Sequence, residues 1–298
     1  MADAMKPSPF SLLMAVYEGD HVPYLRRAVS SNTVEQSRAP AQVVVVRDGP
    51  VPQLLQDFLD ALPAVLHSAF EHSGRADAAP DVTVVPLERN QGLAHALNQG
   101  LRVCRYEVVV RADSDDIAMP KRCELLVPCV QEPVDGVPVD VVGSAIREFS
   151  GDEHHLGQIR RLPAGGAALR DYARLQSPLH HPSVAFRASV VRAAGGYPER
   201  AGRFEDYLLW ERLMLRGARM ANLPEPLVLY RVDAGAYERR GGCTMFRDEL
   251  ALQRRFRADG FTTTAQFIRN IAVRAVYRLL PTGLRRLGYR VVTALRGR

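Results

Sequence analysis

The sequence predicts an α/β protein whose mostly parallel β-sheet is flanked by helices and followed by a basic helical extension. Short apolar runs of strand length alternate with helical patterns through residue 111, and acidic turns follow two of these runs. Strands that alternate with helices are typical of parallel sheets with crossover helices. With 298 residues, 47% of them hydrophobic, the chain can bury a large core.

Seven elements are predicted in chain order up to residue 111. Each predicted strand is a short apolar run that ends in polar loop residues. Pro63 is expected to kink or split the second helix, because proline lacks a backbone donor and clashes with the preceding turn. The small, polar segment 73–80 predicts a surface loop. The predicted elements are strand 10–16, helix 23–35, strand 41–46, helix 52–71, strand 82–87, helix 91–103 and strand 106–111.

Two acidic turns lie where predicted strands end. Asp48 follows the second strand, and the segment Asp113-Ser114-Asp115-Asp116 follows the fourth. In parallel sheets of this kind, ligands bind beyond the carboxyl ends of the strands. Clustered carboxylates repel one another, and a hard divalent cation such as Mg²⁺ or Mn²⁺ relieves that repulsion. The same four residues also suit a turn or a helix cap, so the acids alone leave both interpretations open.

Composition and segment patterns favour a reduced, cytoplasmic protein. The four cysteines form neither a CxxC pair nor a framework of spacings, so we expect reduced thiols. The N-terminal segment lacks the apolar stretch of a secretory signal, and no apolar run reaches the ~18 residues that cross a bilayer. We therefore expect a cytoplasmic chain that does not span a membrane.

The basic character is confined to a C-terminal tail, residues 237–298. Residues 239–298 contain 14 Arg, no Lys and three acids, whereas acids outnumber bases in the rest of the chain. Between 267 and 280, apolar residues occupy one side of a helical wheel and are flanked by Arg269, Arg274 and Arg278. The apolar residues are Phe267, Ile268, Ile271, Ala272, Ala275, Val276 and Leu279.

An amphipathic helix of this kind has two interpretations. It is typical of attachment to an anionic membrane surface, which would place the protein at the inner face of the cell membrane. The alternative is a helix that packs on its own domain with a solvated Arg face. Nucleic acid is not an expected partner, because the tail lacks interleaved aromatic residues and a recognised binding module.

Six segments occur in a characteristic order: VVVVRDGP (43–50), NQGLAHALNQGL (90–101), VRADSDDIAMPKRCE (110–124), HPSVAFRASVVRAAGGYPE (181–199), EDYLLWERLMLRG (205–217) and LYR (229–231). Together they resemble the glycosyltransferases of family 2, which have the Rossmann-like GT-A fold. The resemblance covers about residues 9–235 and is greatest to bacterial exopolysaccharide and capsule transferases of the amylovoran type. It implies a GT-A glycosyltransferase domain over residues 1–236, ahead of the basic tail.

The resemblance implies a site for a nucleotide-sugar donor. Asp48 matches the family Asp that holds the nucleoside, although Arg47 replaces the Asp or Asn that is usual before it. Asn90 and Gly92 match an Asn-x-Gly loop, in which glycine lets the backbone approach the nucleotide closely. Asn98, in the helix that follows, is either part of this site or a structural hydrogen-bonding residue.

The family's DxD motif falls on Asp113, Ser114 and Asp115. The resemblance implies that Asp115 is a direct ligand of Mg²⁺ or Mn²⁺ and that Asp113 is a second ligand nearer the ribose or the base. Asp116 matches an extra acid that is often found there, or it caps a helix. Many relatives have a third ligand, His, after the Tyr-Arg pair; here Asp233 is either that ligand or a solvated loop acid.

The family's Glu-Asp motif falls on Glu205 and Asp206, at the start of a predicted helix that ends at Gly217. The resemblance implies that Asp206 is the catalytic base and that Glu205 is its neighbour or an acceptor contact. The alternative is that both acids are present because a helix N-terminus favours negative charge. His181 matches a recurring family histidine and is either an acceptor-site residue or a structural one.

The implied reaction moves a sugar, most commonly from a UDP-sugar, to a hydroxyl of a glycan or polyprenyl-linked acceptor in surface polysaccharide synthesis. A single displacement would invert the anomeric centre, with a cation at the departing diphosphate and a carboxylate that takes the acceptor's proton. One alternative is a sugar nucleotidyltransferase, which would normally show a glycine-rich, Arg-bearing loop where this chain has MAVYEGDHVP. The other is a non-catalytic nucleotide- or glycan-binding subunit of the same fold.

Overall fold

The computed structural model describes residues 8–131, 139–200, 202–232 and 243–279. Among these residues, one compact unit ends at Arg231 and leaves out residues 202–204, which belong with the second unit from Val232 onward. Within the described ranges, no helix combines the length and the apolar character needed to cross a bilayer. The predicted boundary after residue 236 lies between described ranges and stays a prediction.

The elements predicted up to residue 111 are present with the predicted types. The strands are β1 Ser11–Val16, β2 Gln42–Arg47, β3 Asp81–Pro86, β4 Val108–Arg111, β5 Ile117–Ala118, β6 Val141–Ser150, β7 Asp152–Arg160, β8 Ala185–Arg187 and β9 Met220–Arg231. The helices are α1 Val22–Asn32, α2 Gln53–His72, α3 Leu93–Val103, α4 Arg122–Gln131, α5 Gly166–Ala173, α6 Ala188–Ala193, α7 Glu205–Leu215, α8 Cys243–Ala258 and α9 Thr264–Leu279.

The strands form one sheet in the order β3-β2-β1-β4-β8-β6-β9-β5, and β7 pairs with β6 outside this path. The first four strands in the chain pair in parallel, as the alternation of strands and helices predicts. Beyond β4 the pairing is mixed, because β8 runs antiparallel to both β4 and β6 whereas β6 and β9 are parallel. This arrangement brings the ends of β1, β2 and β4 to one edge.

Helices cover both faces of the sheet. Alternate residues of a strand point to opposite faces, so Leu12 and Met14 pack with α1, α2 and α4, whereas Leu13 and Val44 pack with α3, α6 and α7. The predicted α/β fold with a sheet flanked by helices is therefore confirmed.

Pro63 was expected to kink or split the second helix, and it does not split it. Helix α2 runs from Gln53 to His72 with Pro63 inside it. Pro63 lies on the exposed side, where water can bond the carbonyl that proline leaves free. Leu59, Leu62 and Leu66 are buried along the opposite side, and their burial holds the two halves of the helix on the sheet.

In the second unit, α8 and α9 are joined by buried polar contacts. Asn270 Nδ2 donates to Gln253 Oε1 at 2.8 Å, and Arg274 forms an ion pair with the buried Glu249. Arg274 was predicted to flank the apolar stripe of this helix; in the structure it lies against α8, because its partner Glu249 is on that helix. The exposed side of α9 carries Ile268, which is 62% exposed, together with Ala272, Val273 and Arg269.

Candidate active site

The acidic turn joins β4 to β5 at the carboxyl edge of the sheet. One carboxylate oxygen of each of Asp113, Asp115 and Asp116 lies within 4.8 Å of the others. Burial and the neighbouring acids raise the pKa of Asp115 to about 6 and raise the pKa of Asp116 well above its ordinary value. The Oδ2 atom of Asp116 is buried and has no hydrogen-bond partner among the described residues. Crowded hard oxygens with an unmatched acceptor fit a divalent cation such as Mg²⁺ or Mn²⁺.

Arg231, the last residue of β9, holds the acidic turn in place. Its backbone N donates to Asp116 Oδ1 at 2.8 Å, and its Nε donates to the Asp115 carbonyl oxygen at 2.9 Å. The guanidinium lies between two aromatic rings, 3.8 Å from the Tyr24 centroid and 4.5 Å from the Phe149 centroid. Planar stacking of this kind suits Arg and not Lys. The turn is therefore fixed by a side chain from a distant strand.

A second residue of the turn is held by the loop after β1. Ser114 Oγ donates to Asp20 Oδ1 at 2.8 Å, and Asp20 Oδ2 accepts from the Tyr17 N–H at 2.8 Å. Burial raises the pKa of Asp20, and the charge of Asp113 raises it further. Asp20 was not predicted as a site residue. It follows the carboxyl end of β1, so the rule that ligands bind beyond strand ends, which selected Asp48, also selects Asp20.

Asp48 closes the turn that starts α3. It is 4% exposed, its Oδ1 accepts from the Gln91 N–H at 2.8 Å and its Oδ2 accepts from the Gly92 N–H at 2.9 Å. Gly49 has a φ of +87°, and a Cβ there would lie 2.5 Å from the Asn90 nitrogen, so this close approach requires glycine. Asn90 is exposed beside the turn, and its Oδ1 accepts from Gly92 N at 3.2 Å.

Arg47 is bound to protein groups. Its Nη1 donates to Gln56 Oε1 at 2.6 Å and its Nη2 to the Leu87 carbonyl oxygen at 3.4 Å. A contact between Arg47 and the nucleotide stays a prediction.

Glu205 and Asp206 open α7, half-buried in its first turn. Burial and the charge of Glu205 raise the pKa of Asp206 to about 7, and burial also raises the pKa of Glu205. The charge of Arg111 lowers both pKa values, and the charge of Asp113 raises that of Glu205. The acidic turn and the Glu205–Asp206 pair, ninety-odd positions apart in the chain, are therefore close enough for their charges to interact.

Arg111 is a cation whose charge acts on both the acidic turn and the Glu205–Asp206 pair. It is the last residue of β4, 2% exposed, and its Nη2 forms an ion pair with Asp113. Arg122, also buried, donates to the Arg111 carbonyl oxygen and at 2.8 Å to that of Pro182. Neither arginine was predicted as a site residue. The one sequence signal for Arg111 is a positive charge next to the acids of VRADSDD. The pattern of a buried strand instead favours an apolar residue at that position.

His181 lies in a short 3₁₀-helix, His181–Ser183, and is 8% exposed. Its Nε2 hydrogen-bonds with the Tyr197 hydroxyl at 3.1 Å, and its ring packs edge-on against Trp210 of α7. Burial and the charge of Arg111 hold the pKa of His181 well below its ordinary value, so the imidazole is neutral. Its contact with an acceptor stays a prediction, and Asp233 lies outside the described residues.

This chain is similar to known glycosyltransferases. The sequence profile of Glycosyl transferase family 2 matches residues 11–192. A UDP-Gal:alpha-D-GlcNAc-diphosphoundecaprenol beta-1,3-galactosyltransferase of Escherichia coli is 34% identical over 95% of this chain and 96% of its own length. The amylovoran biosynthesis glycosyltransferase AmsE of Erwinia amylovora is 32% identical over 91% of this chain and 94% of its own.

Solved structures share the fold at low sequence identity. TarS 1–349 of S. aureus, in complex with UDP-GlcNAc, matches with a TM-score of 0.59 and 17% identity over 93% of this chain and 69% of that one. The mannosyltransferase PcManGT of Pyrobaculum calidifontis, in complex with GDP-Man and Mn²⁺, matches with a TM-score of 0.57 and 19% identity over 92% of this chain and 71% of that one.

Proposed function

Because the chain belongs to glycosyltransferase family 2, we propose that it moves a sugar from a nucleotide-sugar donor to a hydroxyl of a lipid-linked glycan in bacterial surface polysaccharide synthesis. The family and its GT-A fold were predicted from the motifs, and both predictions are confirmed. One observation carries the proposal: the buried Arg111 forms an ion pair with Asp113 of the acidic turn, and its charge also acts on the acid pair Glu205–Asp206.

The donor and the acceptor are proposed from the E. coli relative, whose name specifies UDP-Gal and a diphosphoundecaprenol-linked GlcNAc. In the proposed complex, the nucleoside lies beside Asp48, Asn90 and Gly92, and Arg47 stands next to it. The two hydrogen bonds from the Gln91 and Gly92 N–H groups to Asp48, here called the Asp48 clamp, support this assignment. They fix the Asn90–Gly92 backbone at the N-terminus of α3. A helix N-terminus favours the negative charge of a donor diphosphate.

Asp115, with Asp113 and Asp116 beside it, would hold Mg²⁺ or Mn²⁺. When bound, the cation supplies positive charge for the departing nucleoside diphosphate. Ser114 stays bound to Asp20, and Arg231 keeps the Asp115 backbone fixed, so the carboxylates are presented by a rigid turn. Arg111 pairs with Asp113, so the proposed site contains a permanent protein cation besides the metal.

Asp206 would accept the proton of the acceptor hydroxyl as that oxygen attacks the anomeric carbon from the side opposite the diphosphate. The bond from sugar to diphosphate breaks as the new glycosidic bond forms, so the configuration inverts. A pKa raised to about 7 suits this role, since a base is most effective when its pKa is near the working pH. Glu205 and the more deeply placed His181 are the proposed acceptor-side residues.

We also propose that the second unit attaches the protein to the inner face of the cell membrane. The exposed side of α9 carries Ile268, Ala272 and Val273 beside Arg269. Apolar side chains can enter the interface while arginines contact anionic headgroups. A protein held there would meet a lipid-linked acceptor without crossing the bilayer.

The proposal is tested with purified protein, a GlcNAc-diphosphate-lipid acceptor and a panel of UDP-, GDP- and dTDP-sugars with Mn²⁺ or Mg²⁺. We expect one donor to be consumed with release of nucleoside diphosphate and a product of inverted anomeric configuration by NMR. Asp115→Ala and Asp206→Asn should both lose transfer, and Asp206→Asn should still bind UDP with Mn²⁺.

Three results would contradict the proposal. Release of pyrophosphate from sugar phosphate and nucleoside triphosphate would identify a nucleotidyltransferase. Donor binding without diphosphate release would identify a binding subunit. Wild-type turnover by Asp206→Asn would remove it as the base.

A further inference from the structure

The turn at residues 194–197 is hydrogen-bonded by side chains from two helices, α3 and α7. We propose that Asn98 of α3 and Arg212 of α7 are positioning residues that hold the base-bearing start of α7 in register with the nucleotide-side helix α3. The inference rests on the proposed function, because it assigns a role in placing Asp206.

The contact from α3 is made by the Asn98 side-chain amide, which both donates to and accepts from the backbone of Tyr197, as a peptide group in a β-ladder does. Asn98 Nδ2 donates to the Tyr197 carbonyl oxygen at 2.9 Å, and Asn98 Oδ1 accepts from the Tyr197 N–H at 2.8 Å. Gly196 has a φ of +72°, and a Cβ there would lie 2.4 Å from Asn98 Oδ1. The turn thus lies against Asn98 at a distance that only glycine permits.

The contact from α7 is made by a guanidinium that binds carbonyl oxygens of the same turn. Arg212 Nη1 donates to the Ala194 carbonyl oxygen at 3.0 Å and to the Gly196 carbonyl oxygen at 3.2 Å. Arg212 lies six positions after Asp206 in one uninterrupted helix. A shift of the turn therefore shifts the helix that begins with the proposed base.

The other end of α3 is fixed at the nucleotide edge. The helix begins after Gly92, whose N–H donates to Asp48, and Asn98 lies within its second turn. Successive contacts thus link Asp48, α3, the turn at 194–197 and α7. Each link is a hydrogen bond of 2.8–3.2 Å or a rigid helix.

Tyr197 connects the same turn to the interior. Its hydroxyl hydrogen-bonds with His181, and His181 packs against Trp210 of α7. The turn is therefore held at its backbone by Asn98 and Arg212 and through the Tyr197 side chain by His181.

This arrangement predicts a specific kinetic effect. The acceptor hydroxyl, the base and the anomeric carbon must align closely, and a displacement of about 1 Å can cost about 10²-fold in rate. Loosening the turn should lower kcat and leave nucleotide binding intact, because the acidic turn and the Asp48 clamp do not depend on Asn98.

The test compares Asn98→Ala with Gln99→Ala, which removes an amide from the same helix that contacts His95 and Arg102 and not the turn. We expect Asn98→Ala to lose at least ~10-fold in kcat, with UDP–Mn²⁺ affinity within about twofold of wild type. Gln99→Ala should behave as wild type. Arg212→Lys, which can still donate to one carbonyl, should retain more activity than Arg212→Ala.

Hydrogen–deuterium exchange supplies a readout that needs no turnover. Asn98→Ala and Arg212→Ala should accelerate amide exchange in the turn and in the first turn of α7, and Gln99→Ala should not. The inference is overturned if Asn98→Ala keeps wild-type kcat and exchange, or if UDP–Mn²⁺ affinity falls in parallel with kcat. Failure of the proposed function alone is recognised by an inactive wild type that still shows the exchange effect.

Discussion

Arg231 donates from Nε to the backbone carbonyl oxygen of Asp115 at 2.9 Å while its own backbone N–H binds the Asp116 carboxylate. The last residue of β9 therefore fixes both the main chain and one side chain of the acidic turn. The guanidinium also contacts the rings of Tyr24 and Phe149, which stabilises it in this position.

Arg231→Lys is expected to lower the affinity for Mn²⁺ by roughly tenfold. Lys keeps the charge but loses the planar stacking and the directed Nε bond, so the Asp115 backbone is released. Mn²⁺ titration followed by EPR, together with Tm, measures the effect. Excess Mn²⁺ should restore activity to Arg231→Lys; a loss of activity that Mn²⁺ cannot restore would contradict the positioning role.

The activity of the protein should depend on the ionisation of Asp206. Its pKa is raised to about 7 by burial and by Glu205, so the carboxyl is protonated below that pH and cannot accept a proton. We expect kcat/KM to rise with pH through about 7 and then level. A pH–rate profile over that range measures this, and a flat profile would contradict Asp206 as the base.

The same shift has the opposite consequence for stability. Because the folded state holds the Asp206 proton more tightly than the unfolded chain does, the free energy of unfolding falls as pH rises from about 4 to about 7. The Asp206→Asn variant has no ionisable group at this position. Its free energy of unfolding, relative to that of the wild type, should therefore increase as the pH rises from about 4 to about 7. Urea unfolding of both proteins at several pH values measures the difference, and a constant difference would contradict the raised pKa.

Gly49 offers a test of the Asp48 clamp. Alanine there would be strained by the positive φ and would clash with the Asn90 nitrogen, whereas Gly74 has a φ of +71° and open space around an added Cβ. We expect Gly74→Ala to cost about 1 kcal/mol through strain alone, and Gly49→Ala to cost about 3 kcal/mol and to weaken UDP binding. Denaturant unfolding and UDP titration compare the two variants, and equal effects would argue against a tight clamp.

Local pattern was sufficient for the first half of the fold. Apolar runs such as 41–46 are long enough to predict strands, and the alternation with helices predicts their parallel pairing. The rule that ligands bind at strand ends then selected Asp48 and the acidic turn. Strand β8 has three residues, which is too short to show an alternation of apolar and polar side chains. Its antiparallel position between β4 and β6 could therefore not be predicted from the sequence pattern.

The supporting residues of the site depend on tertiary pairing. Arg231 reaches Asp115 because β9 lies between β6 and β5, and Asn98 reaches Tyr197 because α3 and the 194–197 turn share one face of the sheet. Neither contact leaves a periodic signal. The buried Arg111 contradicts the apolar pattern of its strand, and such a departure is itself typical of a functional site.

Membrane attachment through α9 predicts a salt-sensitive partition to anionic vesicles. The wild type should sediment with vesicles that contain phosphatidylglycerol and not with phosphatidylcholine alone, since arginines gain about 1 kcal/mol each near an anionic surface. The double variant Ile268→Ser/Val273→Ser removes two exposed apolar side chains from α9 and should bind roughly tenfold more weakly. Leu54→Ser, which removes an apolar side chain that is more exposed than Ile268 or Val273 but lies on α2, is the control and should bind as the wild type does. If all three proteins bind these vesicles alike, the exposed side of α9 does not contact the membrane.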